Sequence, residues 1–222
     1  MPQPTDGPDP TDGPDPTDPT DQSATTARRR AVALAGHQGD EATAQQGLHD
    51  PAPAVRAAAL GALARLHKLE LADVGRAADD EDPQVRARAA ELAAGFGPGA
   101  ATLLDVALVD GDARVVEAAC FALGELGEQA SASVAGLAAV GEGHPDPLCR
   151  EAAVAALGAI GSSEGLPAIL AATSDKPAVR RRAVLALAPF SGPDVEAALE
   201  RALTDRDWQV RQAAEDLTGR QA

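Results

Sequence analysis

The sequence predicts an all-α protein, a right-handed α-α superhelix of about six helix pairs plus one terminal helix. Three observations predict it. A Val-Arg pair recurs through the chain at near-constant spacing. Each copy opens the same apolar helical stripe. Strand signals are missing between the copies, so the period belongs to stacked helical pairs.

The pair appears as Val55-Arg56, Val85-Arg86, Val115-Val116, Cys149-Arg150, Val179-Arg180 and Val210-Arg211, at intervals of 30, 30, 34, 30 and 31 residues. A weaker copy, Ala27-Arg28, lies 28 residues before the first. Four residues after each leading position stands Ala59, Ala89, Ala119, Ala153, Ala183 or Ala214. Eight residues after it stands Leu63, Ala93, Leu123, Leu157 or Leu187. Positions i, i+4 and i+8 share one helical face, so the three columns form a buried stripe, and the small Ala at its centre admits a neighbouring helix.

Each first helix carries its own start and stop signals. Asp82, Asp112, Asp146 and Asp207 stand three residues before the leading position, as N-caps. Pro53, Pro83, Pro147 and Pro177 follow at the first helical position, where a missing N–H costs nothing. Leu123-Gly124-Glu125-Leu126-Gly127 and Leu157-Gly158-Ala159-Ile160-Gly161 mark helix ends. Second, shorter helices are expected at about 39–48, 69–79, 100–109, 130–140, 164–173 and 193–203, with a final unpaired helix at about 208–219. Their apolar anchors are Leu71 and Val74, Leu104 and Leu108, Val134 and Leu137, Leu166 and Ile169, then Val195, Leu199 and Leu203. The first of these helices is polar, with Glu41, Thr43, Gln45 and Gln46, as suits a terminal cap. The long interval places its excess in Gly141-Glu142-Gly143-His144-Pro145, read as a lengthened loop.

The D-P-x-V-R-x-x-A-x-x-x-L-G-x-[LI]-G grammar resembles HEAT repeats, of the short type first named from phycobilisome lyases. Asp146-Pro147-Leu148-Cys149-Arg150 through Leu157-Gly158-Ala159-Ile160-Gly161 carries the resemblance best, and Asp82-Pro83-Gln84-Val85-Arg86 is the next best opening. The resemblance implies an armadillo/HEAT-type solenoid over 27–222. It also implies an alternative function, that of a phycobilin-lyase-like enzyme subunit handling a tetrapyrrole or other small molecule. A repeat grammar is structural, however, and carries no catalytic residue with it.

Composition bounds the function. Of 222 residues, 45% are hydrophobic and 24% charged, as in a soluble globular chain. Aromatics are 2%, with no Tyr, three Phe and one Trp, which argues against base stacking and against an aromatic cofactor pocket. The net charge of −15 repels phosphate backbones, so no nucleic-acid partner is expected. No apolar run approaches the roughly 20 residues of a membrane span, and no signal peptide is recognised, so the reading is cytoplasmic with no membrane partner. The 17 Arg against 2 Lys, with the richness in Ala, suggest a high-GC bacterial coding sequence. Residues 1–26 form a separate region, an acidic Pro/Asp/Thr-rich tail expected to be disordered, with Asp at every third position from 6 to 21.

The Arg column (Arg28, Arg56, Arg86, Arg150, Arg180, Arg211) has a structural explanation: each pairs with an Asp of a neighbouring turn, among Asp50, Asp80, Asp110, Asp175 and Asp205. The clusters Arg28-Arg29-Arg30 and Arg180-Arg181-Arg182 are read as mostly solvated. His37, His49, His67 and His144 show no metal-ligand spacing, and no His-Glu dipeptide occurs, as an iron-dependent deoxyhypusine hydroxylase on this fold would need. Cys120 and Cys149 read as buried apolar groups. Trp208 is expected to cover the open end of the stack or to belong to an interface. No catalytic residue, metal or cofactor is predicted. The expected function is that of a protein–protein interaction adaptor or scaffold. Its concave face of second helices would present Glu70, Asp73, Arg76, Thr102, Asp105, Ser133, Glu164, Glu196, Glu200 and Arg201. These lean acidic, which suggests a protein partner with a basic or amphipathic surface.

Overall fold

The computed structural model describes residues 19–219. The chain divides after His67 into two compact units. His67 takes the left-handed conformation at φ 56°, unusual for a residue with a Cβ, and ends the last helix of the first unit.

The first unit holds α1 (Pro19–Gln38), α2 (Glu41–Gly47) and α3 (Pro53–Arg65). Helix α1 starts eight residues inside the segment read as tail; residues 1–18 of that segment lie outside the described residues. After Pro19 no Pro or Gly interrupts the chain until Gly36, so nothing stops the helix from extending back. Helix α1 packs on α3 through a glycine: a Cβ on Gly36 would stand 2.8 Å from the Ala62 Cα. In α2 only Ala44 and Gly47 are buried, in keeping with its polar sequence.

The second unit holds α4 (Leu71–Ala78), α5 (Pro83–Ala93), α6 (Ala101–Ala107), α7 (Ala113–Leu126), α8 (Val134–Gly143), α9 (Pro147–Ile160), α10 (Leu166–Ala172), α11 (Pro177–Ala186), α12 (Pro193–Ala202) and α13 (Trp208–Thr218). Short 3-10 turns lead into α6, α8 and α10. The odd-numbered helices stack α5–α7–α9–α11–α13, and the even-numbered ones form a parallel second layer. No strand occurs among the described residues.

The stripe is the core. Val55, Val85, Val115, Cys149, Val179 and Val210 are all buried, and the six Ala four positions later are completely so. Asp82, Asp112, Asp146 and Asp207 each accept a hydrogen bond from the backbone N–H two residues on, at 2.8–3.0 Å. The two glycines of each L-G-x-x-G ending divide the work. Gly127 and Gly161 hold positive φ and stop α7 and α9. Gly124 and Gly158 lie inside those helices and permit close approach, since a Cβ on Gly158 would stand 2.7 Å from the Ala186 Cα.

Three expectations are corrected. The excess at 141–145 is not a loop: residues 141–143 are the last turn of α8. Leu71 is exposed, because it stands at the first position of α4, outside the layer that buries Val74. Trp208 is 64% exposed, so it is not buried as a lid on the stack, and the interface alternative is left untouched.

Candidate functional site

The Arg column forms a ladder. Arg28 pairs with Asp50 in the first unit, and Arg86 with Asp110, Arg150 with Asp175 and Arg180 with Asp205 in the second. Each guanidinium is forked, with Nε and Nη2 on the two carboxylate oxygens at 2.7–3.3 Å. In the three rungs of the second unit the third nitrogen donates to backbone carbonyls five or six residues upstream, as Arg86 does to Asp80 and Glu81. Asp50, Asp110 and Asp205 also accept a backbone N–H from two residues on, which shapes the turn before the next helix. The Arg bonds hold the carboxyls of Asp110, Asp175 and Asp205 below the usual carboxylate range. At Asp50 burial pushes upward, but Arg28 and the Ala52 N–H outweigh it. The ladder is structural, and these arginines are not available to an anion.

One rung is missing, and both halves are replaced together. Val116, fully buried, stands at the Arg position of α7. His144 stands at the corresponding Asp position, three residues before Pro147 as Asp80 is before Pro83. Its Nδ1 accepts the Asp146 N–H at 3.1 Å, taking over the turn-forming role. Removing both partners leaves no stranded charge.

The second Arg cluster is not solvated as expected. Arg180 is buried in its rung, while Arg181 and Arg182 converge from α11 on Glu151 of α9 at 3.7 and 3.4 Å. Neighbouring helices lie close enough here for long side chains to share one acid. Arg29 and Arg30 are exposed. The cysteines are inert by environment: burial pushes the Cys120 thiol up to about 12 and the Cys149 thiol up to about 11. Cys149 donates its S–H to the Ala113 carbonyl at 3.2 Å.

Among the described residues no group of three or more His, Cys, Asp or Glu could hold a metal ion. What the second unit displays is the outer surface of its even-numbered helices. Glu70, Arg76, Thr102, Asp105, Glu164, Glu196, Glu200 and Arg201 are exposed there. Two of the expected surface residues are not. Asp73 is 6% exposed, because its carboxylate closes a capping box with Glu70 and pairs with Arg76. Ser133 is 2% exposed, because the 3-10 turn before α8 rotates it into the layer, with its hydroxyl unpartnered.

Two residues that the sequence reading passed over stand out instead. Val106 of α6 is 67% exposed and Val109, just beyond it, 83%. The repeat register gives part of the signal. Aligned on the Asp before each first helix, or on His144, the equivalents are Arg76 and Asp79 beside α4, Val140 and Gly143 in α8, Ala171 and Ser174 beside α10, and Arg201 and Thr204 beside α12. Two open grooves flank α6. One, of about 330 Å³, lies against α4 and includes Asp79, Leu103 and Val106. The other, of about 600 Å³, lies against α8 and includes Asp105, Val109, Gly136 and Ala139.

Comparison with known proteins agrees with this architecture. Residues 134–217 match the family model of HEAT repeats. No curated protein matches the chain by sequence. Among solved structures, an engineered protein is 18% identical with a TM-score of 0.61, over 81% of this chain and 97% of its own. YibA of Escherichia coli is 16% identical with a TM-score of 0.63, over 84% and 72%. The complex of CpcE and CpcF of phycocyanin lyase from Nostoc sp. is 17% identical with a TM-score of 0.55, over 67% and 97%. At these identities the likeness is one of fold. The chain has the helical-repeat fold of HEAT-type α-solenoid proteins, built of stacked helix pairs, and its residues 134–217 match HEAT repeats.

Proposed function

We propose that this protein is a protein–protein interaction adaptor or scaffold with no catalytic activity of its own. One observation carries the reading: the ladder arginines are engaged within the fold, while the outer surface of the even-numbered helices displays acids and short apolar side chains. Asp105, Glu164 and Glu196 are exposed on that surface, so it suits a protein with a basic or amphipathic surface and repels nucleic acid. No helix among the described residues is long and apolar enough to cross a membrane, which fits a cytoplasmic setting.

The test is affinity purification of the tagged chain beside its Glu196→Lys/Glu200→Lys variant, followed by mass spectrometry and a sizing measurement of the recovered complex. A stoichiometric protein partner that the charge reversal releases supports the adaptor. A bound pigment with a visible absorption band and no protein partner overturns it in favour of a subunit like those of the phycobilin lyases.

A further inference from the structure

We propose that the surface around α6 is the docking seat for one amphipathic, basic helix of a partner protein, with Val109 and the α6–α8 groove at its centre. The proposal rests on the adaptor reading and deepens it by placing the contact and stating the chemistry of what fills it.

The repeats act as internal controls. At both ends of the second unit the positions of Val106 and Val109 are exposed and hold polar side chains, Arg76 with Asp79 and Arg201 with Thr204; in α8 the first of them is Val140, which is buried, and beside α10 they are the exposed Ala171 and Ser174. At α6 the same two positions carry β-branched hydrocarbon, 67% and 83% exposed. Two such valines add nothing to the core, and leaving them in water costs stability relative to burial under a partner.

The surroundings fit a helix. Across the α6–α8 groove the floor is made of Gly136, Ala139 and Gly143, all exposed. Short side chains allow an incoming helix axis to come close, so its own larger apolar residues can fill the space. A Cβ on Gly136 would stand 2.9 Å from the Leu108 Cδ1, so the leucine end rests directly against this glycine. An amphipathic helix with apolar residues at i, i+3, i+4 and i+7 would set one row into this groove and against Val106.

The sign of its charge follows from the rim. Asp79 belongs to the α4–α6 groove and Asp105 to the α6–α8 groove, and Glu142 is exposed in the last turn of α8. The nearby cations are already paired, Arg76 with Asp73 and Arg86 with Asp110. The rim therefore presents uncompensated negative charge around an apolar centre. Lysines or arginines flanking the apolar row would meet it, and would speed association at low salt.

The test uses the full chain and a fluorescein-labelled 18-residue peptide with Leu at the i, i+3, i+4, i+7 positions and Lys elsewhere. A scrambled peptide of the same composition reports charge without amphipathicity. Anisotropy titrations should show the amphipathic peptide binding at least tenfold tighter than the scrambled one. Val106→Asp/Val109→Asp should erase that difference, although the variant is more acidic and attracts lysine more strongly. Ala139→Gln, which fills the groove without changing charge, should weaken binding severalfold, and circular dichroism should show both variants folded. Equal binding of the two peptides, or binding unchanged in both variants, overturns the proposal. If Glu196→Lys/Glu200→Lys abolishes binding while the valine variant does not, the docking seat lies elsewhere and the adaptor reading stands.

Discussion

Asp205→Ala strands the Arg180 guanidinium. Arg180 is 7% exposed and its forked partner 16%, the most enclosed pair of the ladder. Truncating one member of a buried ion pair costs about 3–5 kcal/mol, because the remaining charge is left uncompensated. Arg180 keeps one bond here, from Nη1 to the Asp175 carbonyl at 2.8 Å, and the site opens to water at one edge. A cost of about 2–3 kcal/mol follows. The Asp207 N–H also loses its acceptor, which loosens the turn before α13. For a domain of this size each kcal/mol lowers Tm by about 2–4 °C, so the shift should be about 5–10 °C. Solenoid interfaces act locally, so amide exchange in α13 should quicken before that in α7. Urea and thermal unfolding at 222 nm measure the total. The ladder supplies its own scale: Arg28 is 40% exposed, so Asp50→Ala must cost least, with Asp110→Ala between. A double variant, Arg180→Met with Asp205→Ala, should be more stable than Asp205→Ala, because no charge is stranded. The reasoning is refuted if Asp205→Ala and Asp50→Ala shift Tm equally, or if the double variant is the worse.

Other outcomes follow from the same structure. The folded carboxyls of Asp110, Asp175 and Asp205 lie below their unfolded value of about 3.9, so the rung stabilisation is complete above that pH and is lost as pH falls through 4 toward the folded values; Tm should be flat from pH 5 to 7 and fall steeply below 4, less so in Asp175→Ala/Asp205→Ala. Val116→Arg buries a charge with no acid opposite and should cost about 3 kcal/mol, and adding His144→Asp should restore at least about 1 kcal/mol in urea melts; no recovery would show that the two positions do not form a rung. Gly158→Ala should destabilise by about 1–2 kcal/mol through its contact with Ala186, while Gly75→Ala, with open space at its Cβ, should stabilise by up to about 1 kcal/mol, and thermal melts of the two would read opposite signs. Cys120 and Cys149 should react with a disulfide reagent at pH 8 at least about 100-fold more slowly in the folded chain than in guanidinium, as their raised thiol values require; fast labelling of either would contradict its burial.

The helices themselves were legible along the chain, because their determinants are local. The i, i+4, i+8 columns, the Asp caps and the first-position prolines each act within a few residues, and Val85, Ala89 and Ala93 lie buried in one line as their spacing requires. The ladder was legible too, since a repeated Arg and a repeated Asp at constant separation define one geometry. Burial on the even-numbered helices was not, because it depends on side chains a whole repeat away. Asp73 and Ser133 occur in polar stretches like their exposed neighbours, and only the packing of the layer turns them inward. Gly124 and Gly158 look like stops until an alanine some thirty residues on presses against them. The extra residues at 141–143 look like a loop, for Gly-Glu-Gly has weak helix propensity, yet packing of α8 on α9 carries the helix through them. Val106 and Val109 show the reverse. Apolar in a helix reads as core by composition, and only the positions of α4 and α8 beside α6 leave both in water, flanked by grooves that small side chains keep open. Periodicity therefore determined which face of each helix is apolar, and tertiary stacking decided which apolar and polar groups remain at the surface.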